Sequence, residues 1–200
     1  MNVLAHSYVD PSGVFLNGQR LLDTSSTGSD YLKAAYTELD IQYPKFYKMD
    51  NLSKLSIVAV SILQDRLPSY SIQENNLSIV FANSSSSQVT DLKFIDSYER
   101  LGNPSPSLFV YTLPSIVTGE LAIRYKWFGE SVFFLTESFD ADFFLENANL
   151  MLKRGHSHCL CGWVESNGGG TEECFLFLVS NDGHMTADQL LNIFKTYRHE

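Results

Sequence analysis

The stretch Ser131-Val132-Phe133-Phe134-Leu135-Thr136-Glu137-Ser138-Phe139-Asp140 decides the fold. Residues 131–136 make an apolar run of strand length, and Asp140 has the side chain of a helix N-cap. A strand therefore passes through a short turn into a helix. That helix is predicted to run to Arg154 and to stop at Gly155, a residue suited to a left-handed C-terminal position. Downstream, Ser157 to Glu165 and Glu173 to Ser180 read as two strands, joined as a hairpin through Ser166-Asn167-Gly168-Gly169-Gly170-Thr171. The last helix opens on a capping box, Thr186 with Gln189, and carries Leu190, Leu191, Phe194 and Tyr197.

Working upstream, Leu113 to Lys126 is predicted helical, with Pro114 tolerated in its first turn. Residues 102–107 read as an irregular loop. A helix over Thr90 to Leu101 carries Leu92, Ile95, Tyr98 and Leu101 on one side. Leu77 to Ala82 has the pattern of a buried strand, and Ser84 to Ser87 follow as a polar loop. A helix starts after Asp50, its N-cap, with Leu52, Leu55, Val58, Ala59 and Ile62 as its stripe and Pro68 just beyond its end. Val3 to Tyr8 is a short strand, Asp10-Pro11-Ser12-Gly13 a turn, and 23–30 a polar loop. Strands alternating with helices give an α/β layout in one domain over 1–200, its central sheet covered on both faces.

Composition narrows the function classes. Hydrophobic residues make up 44% and charged residues 18%, a globular mixture. No run approaches the roughly 18 apolar residues that a membrane span needs, and the first residues lack the basic and apolar regions of a signal peptide. A cytoplasmic protein is expected. The net charge of −9 argues against nucleic acid and anionic membranes as partners, since both require clustered Lys and Arg. Cys159, Cys161 and Cys174 are expected as reduced, buried thiols.

Two local clusters suggest chemistry and are read structurally instead. His156, His158, Cys159 and Cys161 resemble metal ligands, but the strand period sends the histidines to one face and the cysteines to the other. A structural zinc site wants four ligands together, so no metal is expected. Ser84 to Ser87 lack the Gly and Lys of a phosphate-binding loop and read as a strand-to-helix connection. The G-x-S-x-G elbow of esterases is absent.

From Phe46 to Glu165 the order of elements resembles the N-terminal half of β-ketoacyl synthases, which belong to the thiolase-like superfamily. The lead Lys45-Phe46-Tyr47-Lys48-Met49-Asp50 into the first long helix is similar to the basic lead of that family. Leu113-Pro114-Ser115-Ile116-Val117-Thr118-Gly119-Glu120 looks like its P-S/N-x-x-x-G-H helix, with Glu120 in place of histidine. Gly129-Glu130-Ser131 resembles its G-x-S/N segment, and Gly162-Trp163-Val164-Glu165 its closing strand. The resemblance implies a thiolase-like half-fold: a mixed central sheet covered by helices, then a β-hairpin plus a helix.

Aligned on Thr136, the position of the family's catalytic cysteine falls on Ser138, which the resemblance marks as a vestigial nucleophile position. Thr136, Glu137, Phe139, Gly119 and Glu120 are its candidate binding neighbours. A serine hydroxyl at a helix start needs an adjacent base to ionise, and Glu137 and Asp140 oppose an anion there. The family's two catalytic histidines lie in a C-terminal half that this chain's length does not accommodate. The resemblance thus implies no condensing activity for the chain alone. It implies a partner or scaffold subunit, like a chain-length factor, in fatty-acid, polyketide or aryl-lipid synthesis, with no cofactor. The alternatives are an acyl-transfer or thioester-hydrolysing enzyme using Ser138, and an acyl-binding module. Implied partners are a second copy or a full-length ketosynthase, meeting across Ser131 to Thr136, and an acyl carrier protein. Carrier proteins are acidic, so a local basic patch among Lys45, Lys48, Lys54, Arg124 and Lys126 would be required.

Overall fold

The computed structural model describes residues 1–64 and 75–198. Seven strands form one sheet. They are β1 (Asn2–Asp10), β2 (Gly13–Leu16), β3 (Gln19–Asp23), β4 (Leu77–Asn83), β5 (Ser131–Leu135), β6 (His158–Ser166) and β7 (Glu172–Ser180). The strand order is β3-β2-β1-β7-β6-β4-β5. β4 pairs in parallel with both β5 and β6, whereas β7 runs antiparallel to β6 and β1. One register row crosses the sheet through Phe133, Phe81, Gly162, Leu176 and Ser7.

Helices α1 (Tyr31–Glu38), α2 (Asn51–Gln64) and α5 (Ile116–Tyr125) cover one face, and α6 (Ala141–Lys153) and α7 (Ala187–Arg198) cover the other. α3 (Gln88–Glu99) and α4 (Pro106–Val110) pack on each other at the periphery. The mixed α/β architecture agrees with the sequence reading. β4 is buried along its whole length, and so is β7 after its first residue, because helices cover both faces. Two glycines are demanded by close approach. A Cβ on Gly129 would stand 2.1 Å from the Leu77 carbonyl oxygen. On Gly162 it would stand 2.3 Å from Leu176 Cδ2 and 2.9 Å from Phe81 Cε1, whose side chains close over the bare backbone.

The expected caps form. Asp50 Oδ1 accepts from Ser53 N at 3.0 Å, and Asp140 Oδ1 from Phe143 N at 3.1 Å. Thr186 and Gln189 bond reciprocally, at 2.9 and 3.2 Å. The hairpin at 166–171 is tied by Asn167 Oδ1, which accepts from Gly169 N and Thr171 N. Pro68 lies outside the described residues.

Other expectations are corrected. The helix predicted from Leu113 begins at Ile116, and the loop expected over 102–107 runs into the short helix α4. β2, β3 and α1 are additions. The β2–β3 turn is Asn17-Gly18, with φ of 50° and 82°, the paired positive angles of a tight hairpin turn. The stripe Leu92, Ile95, Tyr98 and Leu101 faces solvent, while Thr90 and Ser97 are the buried residues of α3. Ser97 turns inward because its hydroxyl donates to Phe94 O and accepts from Ser105 N, joining α3 to the loop before α4.

Candidate functional site

β4 and β5 end side by side, and the chain leaves β5 through residues 136–140. Thr136 N donates to Asn83 O at 2.9 Å, extending the ladder by one bond. Phe139 then drives into the core beneath α6 and α7, with its ring centroid 4.3 Å from that of Phe194 and 5.3 Å from that of Phe144. With Phe139 anchored inward, Glu137 and Ser138 are left exposed. Thr136 Oγ1 donates to Ser138 O at 3.2 Å, fixing the turn.

Ser138 borders a recess of 180 Å³ whose walls include Ser84, Trp163, Glu165, Glu173 and Arg198. Its carboxylates are committed. Glu165 Oε2 accepts from Ser84 N at 2.9 Å and Ser84 Oγ at 2.6 Å, and its Oε1 is sealed from solvent. Glu173 accepts from Tyr8 Oη at 3.0 Å and Trp163 Nε1 at 3.1 Å, and Arg198 Nε stands 3.3 Å from it. Burial pushes the Glu173 carboxyl above the usual carboxylate range, with Arg198 opposing. Burial, followed by the charge of Glu173, pushes Tyr8 up as well.

No described side chain hydrogen-bonds the Ser138 hydroxyl, and no histidine lines the recess. His6 is bonded to Tyr197 Oη at 2.7 Å, His156 faces Glu130 at 3.4 Å, and His158 bonds Ser157 at 2.9 Å. At the start of α6 the Asp140 carboxylate occupies the Phe143 N–H, and Asp142 adds a second negative charge to the first turn. At a helix start, which elsewhere stabilises an anion, one N–H is here taken by the protein's own carboxylate and a second acid lies in the first turn.

Of the candidate neighbours, Thr136, Glu137 and Phe139 lie in the turn with Ser138. Gly119 and Glu120 do not join them, because α5 lies on the opposite face of the sheet from α6. Gly119 has open space where a Cβ would stand. Glu120 is buried, and its Oε1 takes Lys45 Nζ at 2.7 Å and Tyr111 Oη at 3.1 Å. Trp163, Glu173 and Arg198 were not picked out from the sequence. The hairpin register, which sets Trp163 against Phe175 and Glu165 against Glu173, is the signal that leads to Glu173.

The other two clusters resolve structurally. Cys159 and Cys161 share the buried face under α6 with their sulfurs 3.6 Å apart, and Cys174 is buried on the other face; all three are free thiols. In the serine loop, Ser84 N bonds Glu165, Ser86 N bonds Asn83 Oδ1, and Asn83 Nδ2 returns to Ser86 O. Those donors serve the loop itself. Among the described residues, no helix is long and apolar enough to cross a membrane.

Solved structures share the fold. A structure described as the ketosynthase ApeO in complex with its chain length factor ApeC, from Xenorhabdus doucetiae, matches with a TM-score of 0.66 and 14% identity, over 92% of this chain and 80% of that one. The chain has the ketosynthase fold. The ishigamide ketosynthase/chain length factor matches at a TM-score of 0.62 and 18% identity, over 90% of this chain and 61% of that one. A type II polyketide ketosynthase with its acyl-carrier protein, AntDE:AntF, matches at 0.59 and 17%, over 90% and 62%. The chain thus spans under two thirds of the length of these two ketosynthase-fold structures. No family model matches the sequence, and no curated protein matches it. The sequence resemblance set a nucleophile position at Ser138, which lies in the β5–α6 turn.

Proposed function

We propose that the chain is a non-condensing, ketosynthase-like subunit that acts beside a catalytic ketosynthase, in the manner of a chain-length factor, in fatty-acid, polyketide or aryl-lipid synthesis in the cytoplasm. The observation that carries this reading is the Ser138 turn: among the described residues no side chain bonds the Ser138 hydroxyl, and Asp140 takes the Phe143 N–H at the start of α6. A serine without a base does not attack a thioester at a useful rate.

Pairing follows from β5. It is an edge strand with β4 on one side only, and it carries Val132, Phe133, Phe134 and Leu135. Glu130 O and Thr136 N point to β4, so strand alternation turns the backbone groups of Ser131, Phe133 and Leu135 outward. An apolar edge of this kind is normally covered, and a strand from a second chain satisfies it. The complexes among the structural neighbours support a heterodimer with a full-length ketosynthase, and a second copy is the other partner this edge admits.

Intact-mass analysis after incubation with acyl thioesters tests the loss of chemistry. No covalent adduct is expected. An adduct that disappears in Ser138→Ala would establish an acyl-transfer enzyme instead.

A further inference from the structure

The net charge of −9 hides one local reversal of sign. The residues before α2, α2 itself and α3 converge on a recess of 120 Å³ whose walls carry Lys48, Lys54 and Lys93. Of the five residues picked from the sequence for a basic patch, only Lys48 and Lys54 meet here. Lys45 is paired with Glu120, Arg124 lies over the rings of Tyr43 and Tyr125, and Lys126 ends α5. Among the described residues, none of Lys48, Lys54 and Lys93 has an acidic partner within ion-pair distance. Lys54 is the deepest of the three. Burial pulls its pKa below the usual lysine range, Asp50 and Glu172 oppose this, and Lys93 and Lys33 add to it. These like charges are held together without a direct ion pair to any of the three.

One acid lies in the wall. Asp50 spends its Oδ1 on capping α2, so the start of that helix is already occupied. Glu172, bonded to Asn51 of the wall, is a second carboxylate acting on Lys54, and three ammonium groups against these two acids still leave the recess net positive. Thr90 and Ser107 add hydroxyl groups to the wall. The space equals about four waters at about 30 Å³ each. It has room for one tetrahedral oxyanion head and not for a folded segment of another chain. A phosphate monoester carries a charge of about −1.5 to −2 at neutral pH, opposite in sign to the net charge of the recess.

We propose that the recess formed by Lys48, Lys54 and Lys93 is a binding site for a phosphate monoester group. The phosphate belongs either to a free small molecule or to one displayed on a protein. The site stands apart from the Ser138 turn, and its presence or absence leaves the partner role untouched.

Calorimetric titration of the full chain with phenyl phosphate and with a phosphoserine peptide, at fixed ionic strength, tests the proposal. Saturable one-to-one binding is expected, weakened at least tenfold in Lys93→Gln and in Lys54→Gln and unchanged in Lys153→Gln on the far helix α6. Lys93 is exposed, so its variant remains informative if Lys54→Gln folds poorly. Comparable binding of both probes assigns the free ester as sufficient, and binding of the peptide alone assigns a protein-borne group. Binding of neither probe, or equal affinity in the wild type and Lys93→Gln, would overturn the proposal.

Discussion

Ser138, proposed as a vestigial nucleophile position, has surroundings that repel negative charge. Glu137 precedes it, Asp140 caps the helix, and Asp142 follows in the first turn. A cysteine placed there should behave as an ordinary or less acidic thiol. Alkylation of Ser138→Cys across pH is expected to report a pKa at or above about 8.5. A value below about 7 would mean that the turn still stabilises an anion. Two further residues report on the frame around this turn. Gly162→Ala forces a Cβ against Leu176 and Phe81, an overpacking expected to cost about 1–3 kcal/mol in denaturant melts. His6 is pulled down to about 4 by burial, and its Nδ1 meets a Tyr197 hydroxyl that also accepts from Gly18 N. A histidine held neutral in the fold contributes stability in full above its unfolded value of about 6.5, and the contribution is lost as pH falls toward 4. Wild type is therefore expected to lose about 2 kcal/mol more than His6→Asn between pH 7 and 4. Parallel stability profiles would exclude His6 as the cause.

The elements show how far the sequence is legible. Where a local signal has one physical meaning, as in the caps at Asp50, Asp140 and Thr186 or the glycine-rich hairpin at 166–171, the structure follows it. Asn17-Gly18 has an equally clear meaning as a hairpin turn, and attention to it would have revealed β2 and β3. Periodicity failed at α3, since a helical stripe fixes which residues share a side but not which side meets the core. The split of Gly119 and Glu120 from Ser138 was illegible for a related reason: which sheet face each helix covers is settled by tertiary packing. The same holds for Lys93, which reaches Lys48 and Lys54 only through the placement of α3. At β5 the expectation is sharper. Leu135→Pro removes an outward backbone N–H from a residue 60% exposed. It should leave the β4 ladder and the fold intact, at a cost of about 1 kcal/mol, while abolishing association through this edge. Association unchanged in Leu135→Pro, followed by size-exclusion chromatography, would place the interface elsewhere.

As a whole molecule the described chain is a three-layer ketosynthase fold with α7 packed on its second face. α7 lays Phe194 on Phe139 and stacks Tyr197 on Tyr8, 4.8 Å between centroids, so the second face of the sheet is sealed beside the Ser138 recess. Among the described residues β3 and β5 are the two sheet edges, and β5 is the one beside the Ser138 turn that the proposed pairing uses. Sedimentation velocity of the purified chain at micromolar concentration, alone and mixed with a full-length ketosynthase, tests this most directly. A one-to-one complex with the ketosynthase, or a dimer of the chain alone, is expected, and it should be lost in Leu135→Pro. A monomer in both samples would contradict it.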